Sequence, residues 1–192
     1  MRKSGKEYVQ AYNAQAAVDS EAQVIIAQGV SNSATDVRQF EPMVKQIKTN
    51  TGRQTTVFSA DAGYCSEGSL AVLARHHVDA YIATGRQRHS DANALGRRRA
   101  NGTRVSAMRT KLTRAGRRSR YRLRKTLPEP VFGQIKQARG FRQFLLRGLV
   151  NVQGEWSLIC TVHNLLKLAK AQKPARKERA TGASIRRGAH HL

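Results

Sequence analysis

The first thirty residues carry two extended apolar segments separated by a polar step. One segment covers residues 7–19 and the other residues 22–30, and both are rich in aromatic and β-branched side chains. Ser20 and Glu21 lie between them. The pattern predicts a β-hairpin over residues 7–30.

A helical period follows the hairpin. Asp36 is a plausible N-cap for this helix. Apolar side chains then recur at the spacing of one helix face, at Val37, Phe40, Met43, Val44 and Ile47. We expect this face to pack on the sheet that contains the hairpin.

Next in the chain, two short apolar segments flank a helical one. Residues 55–68 form an apolar strand that runs into a turn of small residues, residues 69–78 have a helical pattern, and residues 79–85 read as a second strand. A strand, a helix and a strand in this order predict a parallel pair with a right-handed crossover. With the antiparallel hairpin, the sequence predicts an α/β fold with a mixed sheet flanked by helices.

The apolar pattern is lost in residues 86–125. This stretch holds 15 basic residues and one acidic residue, Asp91, and we predict that it lies outside the core. Apolar content returns in residues 130–149 and again in residues 155–170, and both stretches are predicted to be helices. Residues 171–192 combine charge, Gly and Pro with few apolar side chains, which predicts a disordered tail.

The charge of the chain indicates a polyanionic partner. Its 192 residues include 35 Lys and Arg against 12 Asp and Glu, for a formal net charge of +23. Self-repulsion at this charge disfavours a compact state, and binding to phosphates with release of counterions compensates for it. No apolar run reaches the roughly 20 residues that a membrane span requires, so we expect a soluble intracellular protein that binds nucleic acid. Its two cysteines are far apart and are interpreted as free thiols.

Four separated blocks carry a family resemblance, and they occur in the family's order: YNAQAAVD, SADAGY, EPVFGQIKQARGFRQFLLRG and EWSLICTVHNLLKL. Together they resemble the transposases of bacterial insertion sequences that have a ribonuclease H-like DDE catalytic domain. The resemblance implies a domain over residues 7–170 with a basic insertion at 86–125. It also implies a ribonuclease H-like mixed sheet in which three carboxylates hold two divalent metal ions, Mg²⁺ or Mn²⁺.

By this resemblance, Asp61 and Glu129 are the second and third carboxylates, and both are catalytic residues and metal ligands. Asp61 follows a predicted strand, where α/β folds tend to place ligands, and Gly63 suits a backbone that turns closely around an ion. Glu129 begins a predicted helix. The alternatives are that Asp61 forms a turn and that Glu129 complements the helix dipole.

The resemblance also assigns DNA-binding residues near Glu129, namely Tyr121, Arg124, Lys136 and Arg139. The family's first catalytic Asp lies on an opening strand upstream of YNAQ, and the sequence begins too close to this block to include it. We therefore expect a sheet that is incomplete at its N-terminal strand. Asp19 is a less favoured candidate for the missing ligand.

The implied function is DNA transposition by metal-dependent cleavage and transfer of strands, in the bacterial cytoplasm near the nucleoid. DNA, as transposon ends and target, is the expected partner, and the full-length parent could form a homodimer. The alternative is a catalytically silent DNA-binding remnant of a transposase. A basic RNA-associated protein is a weaker reading, because it leaves the Asp61 and Glu129 motifs unexplained.

The net charge predicts DNA binding with little sequence preference and a steep dependence on salt. Even six phosphate contacts imply a loss of affinity of about 10³ between low and physiological salt. A mobility-shift series in rising salt measures this loss. An affinity that stayed flat over that range would contradict the electrostatic explanation.

Overall fold

The structure is a computed structural model that describes residues 2–4, 7–9, 11–33, 35–85, 102–116 and 119–172. The predictions for residues 86–101 and 173–192 therefore lie outside the described residues.

The described residues form six strands and six helices. The strands are β1 (Arg2–Ser4), β2 (Glu7–Val9), β3 (Asn13–Val18), β4 (Ile25–Ser31), β5 (Val57–Ala60) and β6 (Asp79–Ile82). The helices are α1 (Val37–Thr51), α2 (Glu67–Arg75), α3 (Arg104–Ala115), α4 (Leu123–Thr126), α5 (Pro128–Gly133) and α6 (Leu149–Ala171). A π-helical turn, Gln134–Ala138, continues α5, and short 3-10 turns cover Ala62–Tyr64 and Arg120–Arg122.

The predicted hairpin is present but shorter than expected. Strand β3 pairs antiparallel with β4, whereas residues 7–9 pair with residues 2–4 in a separate small hairpin. The turn is also longer than Ser20 and Glu21, because β4 begins only at Ile25.

Helix α1 and the parallel unit match their predictions. The expected apolar stripe of α1 is buried except for Val37, which is 38% exposed. Strand β5 pairs parallel with β6, and α2 makes the crossover between them. Ser66 caps α2, since its side chain accepts a hydrogen bond from the Ser69 N–H.

Part of the basic segment belongs to the core, so the prediction that residues 86–125 lie outside it was wrong. Helix α3 buries Val105, Met108 and Leu112, and Tyr121 joins the same cluster. The three helix residues follow the 3.6-residue period on one face, while the Arg and Lys side chains occupy the other positions.

The two predicted C-terminal helices have different bounds in the structure. Residues 128–138 are helical, but residues 139–148 are irregular, and Gly140 and Gly148 have positive φ angles of 76° and 82°. Helix α6 begins earlier than predicted, at Leu149. In the described ranges no helix is long and apolar enough to cross a membrane.

The structure shows a mixed α/β fold, but the described strands do not join into one mixed sheet as predicted. The β3–β4 pair and the β5–β6 pair are separate two-stranded sheets. The β3–β4 pair packs against α1 and α6, and the β5–β6 pair packs against α1, α2 and α3. Helix α1 therefore contacts both sheets.

A polar network ties α6 to the turn of the hairpin. His163 is fully buried, and its Nε2 lies 2.9 Å from the Gln23 carbonyl oxygen while its Nδ1 lies 3.1 Å from the Arg139 guanidinium. Because Arg139 can only donate, Nδ1 accepts and Nε2 carries the proton. Asn164 adds two hydrogen bonds, to the N–H and the carbonyl of Ile25. His163 is thus the satisfied core histidine that its apolar surroundings suggest.

His163 makes the stability of the fold sensitive to mildly acidic pH. Burial lowers the pKa of His163, the charges of Arg139 and Lys167 lower it further, and the bond to Gln23 opposes them. A His whose pKa is lower in the folded state gives its full stability above the unfolded value of about 6.5. That stability decreases as pH falls below this value, because the unfolded chain then binds the proton more readily.

We predict that the free energy of unfolding decreases by on the order of 1 kcal/mol between pH 7.5 and 5.5. Urea unfolding at the two pH values measures it. His163→Gln should remove most of this difference, whereas His76→Gln, at an exposed position, should keep it. If the difference survived in His163→Gln, another group would be responsible.

Candidate active site

Asp61 lies at the carboxyl end of β5, as its motif predicts. It has an extended backbone, with φ −74° and ψ 166°, and precedes the 3-10 turn of Ala62–Tyr64 without capping it by a side-chain bond. Its carbonyl oxygen accepts the Tyr64 N–H at 3.1 Å. The Asp61 side chain is exposed and lines a cavity of about 520 Å³ between β3 and β5.

A second carboxylate that the sequence did not identify as functional, Asp36, lines the same cavity. Asp36 precedes α1 as expected, but its side chain makes no capping bond. Its Oδ1 instead accepts hydrogen bonds from the Asn13 amide and, at 3.1 Å, from the Gln15 amide. These partners are more than 20 residues away in sequence, so no local pattern could have indicated them.

Gly63 lies close to the carboxylate of Asp36. A Cβ at this position would lie 2.5 Å from Oδ2 of Asp36, which is closer than real Cβ atoms approach other atoms. Gly63 is also absent from the residues of positive φ in the described chain. It is therefore the close approach of Asp36, and not an unusual backbone angle, that requires glycine here.

The carboxylates at this end of the cavity affect the pKa of Tyr64. Burial raises the pKa of Tyr64, and the carboxylates of Asp36 and Asp61 raise it further. Both carboxylates therefore lie close enough to the phenol to disfavour a negative charge on it. Two carboxylates thus lie near each other at this end of the cavity, within a strongly basic chain.

Asp19 lies at the other end of the cavity. Strand β3 has six residues, and Asn13 at its start contacts Asp36, so Asp19 after its end is roughly 20 Å away along an extended strand. Its carboxylate accepts the N–H groups of Glu21, Ala22 and Val24 at 3.0, 2.9 and 2.5 Å. The structure gives Asp19 the role of closing the hairpin turn.

Glu129 lies in the first turn of α5, is exposed, and follows Pro128, which lines the cavity. The structure thus brings Asp61 and the start of the Glu129 helix to one cavity. Within the described residues, no three or more His, Cys, Asp or Glu side chains are grouped closely enough to hold a metal ion. That Asp61 and Glu129 meet at one ion remains a prediction.

The four predicted DNA-binding residues differ in accessibility. Lys136 is exposed, with its ammonium 5.7 Å from the centre of the Phe132 ring. Arg139 is half-buried and donates to His163. Tyr121 is 3% exposed in the core, so packing is the role that the structure gives it. Arg124 lies in α4, but its side chain is outside the described part. Contact of these residues with DNA remains a prediction.

Gly63→Ala should displace Asp36 and destabilise the fold. Placing a methyl group 2.5 Å from Oδ2 breaks the contacts of Asp36 with Asn13 and Gln15, and overpacking of this kind costs about 1–3 kcal/mol. Denaturant unfolding measures the change. Gly68→Ala is the matched control, because its new Cβ would meet its nearest neighbour, Oγ of Ser66, at 3.9 Å. Equal stability of the two variants would contradict the proposed role of Gly63.

Comparison with known proteins bears on this geometry. A search of curated proteins and of solved structures gave no significant match. The family model described as "Transposase DDE domain" matches residues 2–165, which is most of the chain. This match includes β5 with Asp61, α5 with Glu129 and most of α6. The chain belongs to the transposase DDE domain family.

Proposed function

We propose that this chain is part of a ribonuclease H-like DDE transposase that cuts and joins DNA strands with the help of Mg²⁺ or Mn²⁺. The observation that carries the proposal is the position of Asp61, exposed at the carboxyl end of β5 and lining one cavity with Asp36. The carboxyl ends of parallel strands are where α/β folds place reacting groups. The family match supplies the class of reaction.

The donor atoms at this end of the cavity fit a hard divalent cation. Asp61 offers carboxylate oxygens, and Mg²⁺ and Mn²⁺ prefer oxygen ligands. Asp61 and Glu129 would hold the metal, which when bound activates the attacking oxygen and stabilises the leaving oxygen of a phosphodiester. Asp36 would not bind the metal directly, because the amides of Asn13 and Gln15 already donate hydrogen bonds to its Oδ1.

The basic side chains would hold DNA beside these carboxylates. Lys136 follows Glu129 by seven residues on the same helical segment and is exposed, so it can reach a phosphate close to the site. Arg120 lines the cavity that contains Asp61. Arg124 and Arg139 complete the proposed set, with Arg139 oriented by His163. Transposon ends and target DNA in the bacterial cytoplasm are the proposed substrates, and a homodimer is the proposed state of the full-length parent.

A catalytically silent DNA-binding remnant is the second candidate. It is favoured by the use of the Asp19 carboxylate in its own turn, where it accepts three backbone N–H groups. In this reading residues 7–170 are a partial catalytic domain with a basic insertion at 86–125. The charge of +23 supports DNA binding in either case.

We predict that the chain alone has little or no transposase activity. A version extended upstream by an apolar strand that carries an Asp should cleave DNA with Mg²⁺ or Mn²⁺. In this extended version Asp61→Asn should lower the rate by on the order of 10³, because a metal ligand is lost. Cleavage of an oligonucleotide that carries the element's ends measures the rates.

Glu21→Gln in the extended version is the matched control, since it removes one exposed carboxylate from the hairpin turn. It should leave the rate within about twofold of the extended parent, because Glu21 lies at the far end of β3 from Asp36. Robust metal-dependent cleavage by the unextended chain, lost on Asp19→Asn, would show instead that Asp19 supplies a catalytic carboxylate.

A further inference from the structure

A second cavity, the aromatic cavity, lies beside the irregular turn that precedes α6. Its volume is about 820 Å³, within the range of roughly 300–1,000 Å³ that is usual for small-molecule sites. Its walls come from the start of β3, from α5 with its π-helical turn, from the turn at residues 141–148 and from α6. Neither Asp61 nor Glu129 is among the residues that line it. The aromatic cavity is therefore distinct from the proposed catalytic site.

The aromatic side chains of this cavity differ in how they are packed. Phe144 and Trp156 belong to the core between the β3–β4 pair and α6, and their rings meet edge to face with centroids 6.2 Å apart. Phe141 is 38% exposed and lies outside the packed clusters of the described residues. An aromatic ring that lines a cavity without being packed in the core is available to stack on a flat ligand.

The turn that carries Phe141 is irregular but held at both ends. The Phe141 N–H donates to the Ile135 carbonyl oxygen at 3.2 Å, and the Gly148 N–H donates to the Tyr12 hydroxyl at 3.0 Å. Between these points the Glu155 carboxylate accepts two further backbone N–H groups of the turn, both at 2.9 Å. The cavity is therefore preformed, which lowers the entropic cost of binding a ligand.

The charged side chains of the aromatic cavity are all basic. Lys136, Arg142 and Arg147 line it and are exposed, and no Asp or Glu is among its lining residues. Arg142 also donates to the side chain of Gln137, but this neutral partner leaves its charge uncompensated. A flat aromatic face beside cations fits a nucleotide, because the base stacks and the phosphate pairs with the cations. Three cations exceed what the single phosphate of a free nucleotide requires, and they suit the successive phosphates of a strand.

We propose that the aromatic cavity binds one unstacked nucleotide of a single DNA strand. The base stacks on Phe141, and the phosphates on either side of it contact the basic side chains. Every base has a π-face, so this site has little sequence preference. The family match makes DNA the strand in question. The site goes beyond the proposed cleavage, because neither the proposed metal ligands nor a metal takes part in it.

The test compares two pentanucleotide backbones of equal charge by isothermal titration calorimetry with the full chain. One carries a single central thymine and abasic residues elsewhere, and the other is abasic throughout. The single base should tighten binding at least about fivefold, which is the lower end of what stacking on one aromatic ring contributes. Equal affinities would overturn the proposal, because the attraction between a chain of charge +23 and the phosphates is the same for both strands.

Thymidine 5′-monophosphate separates a strand from a free nucleotide. It carries the same base without the flanking phosphates, so it should bind at least about tenfold more weakly than the strand with one base. Equal binding of the two would assign the cavity to free nucleotides and overturn the choice of a DNA strand.

A variant pair locates the base at Phe141. Phe141→Leu keeps an apolar side chain but removes the π-face, so it should lower the affinity for the strand with one base to that for the abasic strand. Leu145→Ala is the matched control, because Leu145 is an exposed apolar residue of the same turn that does not line the cavity. It should keep the full preference for the base. A Phe141→Leu variant that also kept this preference would contradict the proposal.

Trp156 gives a second measurement that needs no change to the chain. It is the one tryptophan in the sequence and it lines the aromatic cavity, so its fluorescence reports on this place. Saturation with the strand that carries one base should quench this fluorescence more than saturation with the abasic strand. Equal fluorescence in the two complexes would overturn the site. None of these measurements uses cleavage or a metal, so a failure here leaves the proposed function to its own assay.

Discussion

Helix α1 is the element that holds this fold together. The described strands form separate pairs, so no backbone hydrogen bond links the hairpin β3–β4 to the parallel pair β5–β6. Phe40 and Val44 of α1 pack in the core of β5–β6, whereas Met43 and Ile47 pack with Ala27 of β4. One apolar stripe thus joins two sheets that no strand pairing connects among the described residues.

Sequence patterns succeeded where structure depends on near neighbours in the chain. The period of α1, the apolar strand before Asp61 and the parallel crossover unit all follow from such local rules. Helix α3 was missed although Val105, Met108 and Leu112 have the same period. The density of Arg and Lys around them suggested a solvated segment, but a long basic side chain on one face of a helix does not prevent burial of the other face.

The errors at the site have a different origin, because they concern contacts between distant residues. Asp36 occupies the N-cap position of α1 as predicted, but its side chain makes no capping bond. Its actual partners, Asn13, Gln15 and the space above Gly63, are set by the packing of α1 against β3 and β5. In the same way, the break after Ala138 coincides with two glycines of positive φ, Gly140 and Gly148. The apolar residues between these glycines led to the prediction of one helix over residues 130–149.

The charge distribution explains why a cation is expected in the proposed chemistry. The chain has a net charge of +23, but Asp36 and Asp61 place two carboxylates together at one end of the cavity that both line. A phosphodiester that approached Asp61 directly would meet like charge at short range. A divalent cation held by Asp61 would offset this repulsion. In the proposed function, basic residues would bring DNA to the surface of this protein, and a bound cation would let a phosphate approach Asp61.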